Sequence, residues 1–429
     1  MKINNFQNPR QIKEDPGPRN EIRGIHVLKI AYIKKGVFFM FYITVKQSPM
    51  YHQMTLEEFL FNKEIKSSLI NQNLTNTRTY EVEEISDVFK KNLNVNRLIK
   101  ILENFNNTFD YLRADDRKNL YHSFKIPKKS GGLRQIDAPN ADLMLALTRL
   151  KQIFEEDFGA LYHTSAFAYV KGRCTVDALK RHQSNESKWF GKYDLSNFFG
   201  STTLDYVMKM LSIIFPFSEV VKEEHGREEL ERAVELGFLN DVLPQGTPLS
   251  PLITNLIMIP VDFRLTRMLR NLKQEHTVGE ECKSMEQSFV YTRYADDFTI
   301  SSKYTFDFRY IEGLIVGILN QYGAPFTLNK KKTRYGSSSG SNWNLGLMLN
   351  KDNNITVGYK NKKRLQAMIS SYVMDKRSGI QWDKSDIQSM KGNIDYYRMV
   401  EKDNIDAIIR HLNKKFNVDL ESMIKNDLR

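Results

Sequence analysis

Two adjacent carboxylates, Asp296 and Asp297, sit in the string Tyr294-Ala295-Asp296-Asp297. On either side lie runs rich in β-branched and aromatic residues, Phe289-Val290-Tyr291-Thr292-Arg293-Tyr294 and Phe298-Thr299-Ile300. Such runs form short strands, which puts the pair at the tip between them. Side-by-side carboxylates are costly unless they bind something positive, and a divalent cation is the natural candidate. A lone Asp-Asp pair is usually a solvated turn, but a further aspartate upstream changes the weighing. Asp194 lies in Phe190-Gly191-Lys192-Tyr193-Asp194-Leu195-Ser196, near the end of an expected strand, with a helix expected from about Thr203. Taken alone, Asp194 would pass for a helix cap. A carboxylate at a strand end and two more on a hairpin can converge on one pair of Mg²⁺ ions, with Mn²⁺ able to substitute. Two ions so held stabilise the attacking and leaving oxygens of an in-line phosphoryl displacement.

The elements that must carry these groups follow from periodicity. Residues 116–350 alternate short strands and helices and hold every chemical motif. Residues 50–115 read as a helical N-terminal region, with Thr55 as a helix cap and Val95, Leu98, Ile99, Leu102 and Phe105 at buried helical spacing. Residues 351–429 turn helical again. Leu365, Met368, Ile369, Tyr372 and Val373 recur at helical spacing, as do Ile387, Met390, Ile394 and Tyr397, and then Ile405, Ile408, Ile409, Leu412 and Phe416. Three helices packed as a small bundle are expected. Residues 1–49 differ from the rest: a breaker-rich tract from Asn8 to Pro18 precedes the isolated apolar run Gly36–Val45. They read as a flexible extension, or as a segment foreign to the natural product.

Bulk composition narrows the partner. The chain has 429 residues and a formal net charge of +12, which favours a polyanion such as nucleic acid. The first 49 residues carry half of that charge, with nine Lys or Arg against three Asp or Glu. The run Gly36–Val45 is too short for a bilayer span, which needs ~20 residues, so no membrane partner is expected. Two widely separated cysteines, Cys174 and Cys282, have no metal-ligand spacing and fit a reducing, cytoplasmic compartment.

Other blocks have physical readings of their own. Lys128, Lys129 and Arg134 flank Gly131-Gly132, and a basic hairpin of that kind can fold over a triphosphate; alone, it would be a solvated hairpin. In Leu243-Pro244-Gln245-Gly246-Thr247-Pro248-Leu249-Ser250-Pro251, Pro248 suits the first turn of a helix and Gly246 lets the backbone approach a base pair, against which Gln245 can lie. Lys360, Lys362, Lys363 and Arg364 open a helix and suit the phosphates of a template–primer duplex. Lys332, in Lys330-Lys331-Lys332-Thr333, could neutralise or protonate a departing pyrophosphate, although basic runs are more often solvated faces.

In order and spacing these blocks resemble the motifs of reverse transcriptases. Asp194 with its trailing aromatics, the Gln245-Gly246 string with Asn255, and Tyr294–Asp297 resemble three consecutive palm motifs. Ile126–Ile136 and Phe167–Arg173 resemble the blocks before them, and Leu328–Thr333 and Leu345-Gly346-Leu347 those after. The resemblance implies an α+β right-hand polymerase, with fingers and palm built on an antiparallel sheet and a C-terminal helical thumb. It implies an RNA-directed DNA polymerase that uses deoxynucleotide triphosphates. Phe199 takes the place of the steric gate that blocks a ribose 2′-hydroxyl, and Tyr294 lies beside the catalytic pair within reach of the primer terminus. Tyr291–Thr299 is similar to bacterial retron enzymes. Lys391–Tyr397 with Glu401 and Asn413–Phe416 resembles stand-alone defence-associated enzymes that copy a small partner noncoding RNA. The competing readings are a retron-type or group II intron-like enzyme, an RNA-dependent RNA polymerase, and a non-catalytic RNA-binding scaffold. The template RNA, the priming mechanism and the oligomeric state are not legible in the chain.

Overall fold

The computed structural model describes residues 25–34, 37–46, 93–113, 116–127, 131–159, 162–278, 281–286, 289–338 and 346–429. Thr55, Lys128 and Lys129 lie outside these residues. The fold is α+β: helices combined with antiparallel sheet. Residues 25–34 and 37–46 pair as an antiparallel hairpin, so the apolar run of the N-terminal segment is a strand. The chain divides into two compact units and crosses between them three times. One unit comprises residues 1–164 and 199–263, the other 165–198 and 264–429.

In the first unit, Asn94 starts the helix Val95–Thr108 by accepting a hydrogen bond from the Arg97 amide at 2.9 Å. Its spacing buries Leu98, Ile99, Leu102 and Phe105, as the periodicity requires, while Val95 is half-buried. Burial of each such side chain contributes about 1.5–3 kcal/mol. The helix packs on Glu224–Glu235, where the fully buried Asn106 amide donates to the Glu229 carboxylate at 2.6 Å and carbonyl at 2.9 Å. Strands Tyr121–Pro127 and Leu133–Pro139 form a hairpin in which Ile126 pairs with Arg134. Gly131 and Gly132 precede the return strand at φ +85° and +80°, a region open to glycine without strain.

The second unit is built on a five-stranded antiparallel sheet. Its central strand, Trp189–Ser196, pairs with Asp297–Ser302 on one side and with Thr327–Leu328 and Arg334–Ser337 on the other. Phe289–Tyr294 pairs with the outer edge of Asp297–Ser302. Because side chains alternate along a strand, Tyr193 faces away from Asp194. Its ring stacks on Phe308 at 5.2 Å, where the helix Phe308–Gln321 begins. The helix Thr175–Ser184 buries Val176, Ala178, Leu179 and His182. Val176 and Leu179 share a small core with Phe190, Leu347, Leu349 and Val357.

The C-terminal helices are Tyr359–Arg377, Lys384–Phe416 and Leu420–Leu428. The periodic positions named above converge as one core, from Leu365 through Ile394 to Phe416, joined by Leu420 and Ile424. Two features differ from the expected three helices. The second and third runs form one helix broken at Glu401, whose φ of −145° and ψ of 70° are non-helical. A short final helix follows Asn417, which ends its predecessor in the left-handed region at φ 47°.

The break at Glu401 has a visible cause. Its carboxylate accepts from Thr356 Oγ1 at 2.9 Å, the Val357 amide at 3.0 Å and Lys362 Nζ at 3.1 Å. Several donors on one buried carboxylate outweigh a regular backbone there.

No helix among the described residues is long and apolar enough to cross a membrane.

Candidate active site

Asp194 and Asp297 are direct cross-strand partners, and Asp296 sits in the turn beside them. Three backbone bonds fix this arrangement. The Leu195 amide donates to the Asp296 carbonyl at 3.0 Å, the Asn329 amide donates to the Asp194 carbonyl at 2.7 Å, and the Lys332 amide donates to the Asn329 carbonyl at 3.0 Å. The sheet therefore brings together four residues that the sequence scatters: Asp194, Asp296, Asp297 and Lys332. The hairpin turn itself is strained. Ala295 takes a φ of +56°, uncommon for a residue with a Cβ. The buried Arg293 guanidinium donates to its carbonyl at 3.1 Å and supports the turn from behind.

Two lysines neutralise the carboxylates. Lys332 Nζ lies 3.0 Å from both Asp194 oxygens, and Lys192 Nζ lies 2.7 Å from Asp297 Oδ2. Sequence reasoning missed Lys192. Its signal is that it stands two residues before Asp194 and so shares its face of the strand.

Asp194 is only 3 % exposed. Burial pushes its carboxyl up to about 6; the Lys332 hydrogen bond opposes this, and the charges of Asp296 and Asp297 add to it. Burial, then Asp297, also pushes Asp296 above the ordinary carboxylate range. For Lys332, burial lowers the ammonium pKa, but the hydrogen bond to Asp194 and the charges of all three aspartates together raise it. Lys332 is thus held as a cation at neutral pH, which favours charge neutralisation over proton donation.

The donor set suits a hard divalent cation. Among the described residues no group of three or more His, Cys, Asp and Glu is arranged as a ready-made metal site. Mg²⁺ keeps several waters and is held by one or two carboxylates together with substrate phosphates. Asp194, Asp296 and Asp297 offer only carboxylate oxygens, the donors that a hard cation takes.

Against this geometry, comparison with known proteins is decisive. Residues 126–367 match the family described as reverse transcriptase (RNA-dependent DNA polymerase). This chain belongs to the reverse transcriptase family. It is 27% identical to the retron Ec83 reverse transcriptase of Escherichia coli over 332 residues, which cover 74% of this chain and 93% of that protein. It is 27% identical to the retron Ec73 reverse transcriptase of E. coli over 57% of this chain and 73% of that one. The retron Mx65 reverse transcriptase of Myxococcus xanthus is 24% identical over 70% of this chain and 65% of its own length. The similarity to retron enzymes expected from Tyr291–Thr299 is borne out. The enzyme is an RNA-directed DNA polymerase, and RNA is its template.

The other residues expected at the site fall as follows. Tyr294 is half-buried and pairs in register with Asp297. Burial, with Tyr396 and Cys174 nearby, raises its phenol. Phe198 is the buried ring, packed edge-on against Phe326 at 4.8 Å, while Phe199 opens a single helical turn half-exposed. The core role that a phenylalanine could have taken here thus goes to Phe198. Thr203 caps the next helix, Leu204–Leu211.

Arg134 is exposed on the basic hairpin. The same hairpin strand joins the Gln-Gly block: the Asp137 amide donates to the Gln245 carbonyl at 2.7 Å. Gly246 has a φ of +123°, and a Cβ there would lie 3.0 Å from the Asp137 carbonyl oxygen and 3.0 Å from Ile136 Cγ2. Gly246→Ala is therefore expected to cost about 1–3 kcal/mol and to cut nucleotide incorporation at least tenfold, roughly, by shifting Gln245. Thermal melting and single-nucleotide incorporation check both effects; wild-type values in each would contradict the reading.

Two expectations are corrected. The helix after Gly246 starts at Ser250, so Pro251 and not Pro248 occupies its first turn. Thr247 Oγ1 accepts from the Ser250 amide at 3.2 Å and fixes that start. Lys360, Lys363 and Arg364 are exposed on the opening of Tyr359–Arg377, but Lys362 is not available to a duplex. It is half-buried, with its Nζ 3.1 Å from the buried Glu401 carboxylate.

Proposed function

We propose that this reverse transcriptase copies a dedicated small noncoding RNA into complementary DNA and acts in antiphage defence. The observation that carries the catalytic half is the in-register pairing of Asp194 with Asp297, with Asp296 bonded beside them. The primer 3′-oxygen attacks the α-phosphorus of a deoxynucleotide, the bond to the bridging oxygen breaks, and pyrophosphate leaves. Two divalent cations, Mg²⁺ or Mn²⁺, held by Asp194, Asp296 and Asp297, would activate the hydroxyl and balance the charge that develops on the leaving group.

The chain's own residues divide the remaining work. Lys332, charged and with its side chain more than half exposed, neutralises pyrophosphate once Asp194 is otherwise engaged. Arg134, with Lys128 and Lys129, holds the triphosphate. Gln245 and Gly246 bound the nascent base pair, and Tyr294 meets the primer terminus. Lys360, Lys363 and Arg364 follow the phosphates of the RNA–DNA duplex.

Phe199 selects the sugar. Phe199→Ala is expected to leave the enzyme active and to admit ribonucleotides at least tenfold more readily, roughly the discrimination of a steric wall. Competing incorporation of deoxy- and ribonucleotides checks this; an unchanged preference in an active variant removes the gate role.

The dedicated-template reading is supported by the length of the match to retron enzymes. Phosphate contacts alone carry no sequence information, so a specific RNA must be supplied to the enzyme. Sequencing nucleic acid that copurifies with the protein tests this. One defined small RNA and its cDNA are expected, with phage protection requiring both that RNA and Asp296. A random sample of cellular RNA, with protection surviving loss of Asp296, would overturn it.

A further inference from the structure

His182 is fully buried in the palm, and none of the roles above uses it. It projects from the helix Thr175–Ser184 onto the face of the sheet that bears the carboxylates. Its Nδ1 lies 2.5 Å from Ser301 Oγ, on Asp297–Ser302. Its Nε2 lies 2.8 Å from Thr292 Oγ1, on Phe289–Tyr294. Its ring packs at 5.4 Å on Phe190, on the central strand. One side chain thus touches each of the three strands whose ends hold Asp194, Asp296 and Asp297.

The hydrogen bonds also fix the tautomer. Ser301 Oγ donates to Ser187 Oγ at 2.7 Å, so its proton is already committed. Ser301 must then accept from His182, which places the imidazole proton on Nδ1. Nε2 is left as an acceptor for the Thr292 hydroxyl. The chain runs Thr292 to His182 to Ser301 to Ser187, with every proton used once. Burial, with Arg181 nearby, pushes the imidazole down to about 3, so the ring is neutral throughout the working pH range.

The contacts are in step with the catalytic row. Alternation puts Phe190, Lys192 and Asp194 on one face, in register with Ser301, Thr299 and Asp297. On the neighbouring strand, Thr292 and Tyr294 pair with Thr299 and Asp297. Sliding either hairpin strand by one residue would turn Thr292 or Ser301 to the far face, leaving buried polar groups of His182 unpaired. Each such group costs about 1–3 kcal/mol. Plain apolar filling of this space would impose no such penalty on a slip.

We propose that His182 is a positioning residue for the polymerase reaction: an imidazole protonated on Nδ1, it locks the central strand and both hairpin strands in the register that sets the three aspartates against one another. This rests on the proposed reading of those aspartates as cation ligands. Supporting groups of this kind typically affect metal affinity or activity by about 10–100-fold.

The test compares His182→Phe, which keeps a ring without hydrogen bonds, with His182→Gln, which keeps a donor and an acceptor. Mn²⁺ binding is read from the free-ion electron paramagnetic resonance signal, alongside melting temperature, kcat and nucleotide KM. Expected for His182→Phe are a folded protein, Mn²⁺ affinity at least about tenfold weaker, a comparable fall in kcat and an unchanged nucleotide KM. His182→Gln should recover part of both losses. Thr292→Val and Ser301→Ala, each removing one bond, should move affinity and kcat in the same direction by smaller factors, and they decide the matter if His182→Phe does not fold. Wild-type Mn²⁺ affinity and kcat in folded His182→Phe, or in both single-bond variants, would overturn the proposal. So would activity lost only in proportion to folded protein, with Gln no better than Phe. If Asp194→Asn binds Mn²⁺ as the wild type does, the carboxylate reading itself fails, a result distinct from failure of the positioning role.

Discussion

Primer extension by an Asp296→Asn, Asp297→Asn variant is expected to fall by at least about 10⁴-fold, because in the proposed mechanism both residues act as one unit on the same cations. The fold should survive. Asp296 and Asp297 are half-buried at a turn, and asparagine keeps the size and a hydrogen-bond acceptor for Lys192. Melting temperature should stay near the wild-type value or rise, since repelling charges have been removed. RNA retention should persist, because the exposed cations Lys360, Lys363 and Arg364 lie on another element. Extension at the wild-type rate would show that the hairpin does not carry the chemistry.

Asp194→Asn should separate stability from activity in a pH-dependent way. The folded carboxyl titrates near 6 against an ordinary value of 3.8, mainly because it is buried. The folded protein thus holds this proton more tightly than the unfolded chain. Stability contributed by the protonated group is full below 3.8, declines as pH rises, and is lost above about 6. At pH 8 the wild-type protein carries that penalty, on the order of 2–3 kcal/mol, and the variant does not. Asp194→Asn should therefore melt about 2–5 °C higher than wild type at pH 8 in chelator, with the difference vanishing near pH 4. Mg²⁺ should raise the wild-type melting temperature at pH 8 and leave the variant unmoved. Activity should be absent in the variant at every pH. A variant less stable than wild type at pH 8 would show that the Lys332 pair outweighs the cost of burying Asp194.

What the sequence made legible was local. Alternation placed Asp194 on a strand, the aromatic and β-branched flanks placed Asp296 and Asp297 on a hairpin, and Thr203 marked the next helix. Helical spacing named the C-terminal core from Leu365 to Phe416. Partnerships across the fold were hidden, because they depend on register and not on composition. Lys362 and Lys363 are adjacent basic residues. Only Lys362 meets a carboxylate, Glu401, 39 residues away, while Lys363 lies over the Tyr359 ring. Lys332 reads in the sequence as a candidate for the departing pyrophosphate, but its seat on Asp194, set by the turn at Asn329, is visible only in the fold. His182 gave no signal, since its partners come from two strands more than a hundred residues downstream.

In the proposed mechanism this chain polymerises DNA on RNA through cations held at Asp194, Asp296 and Asp297. The most direct measurement is extension of an annealed primer on a defined RNA template, with deoxy- and ribonucleotides in parallel, in Mg²⁺ and in chelator. Mg²⁺-dependent incorporation of deoxynucleotides, giving a product sensitive to DNase and absent in chelator, is the predicted result. A folded, RNA-bound protein that incorporates only ribonucleotides, or extends equally well in chelator, would contradict it.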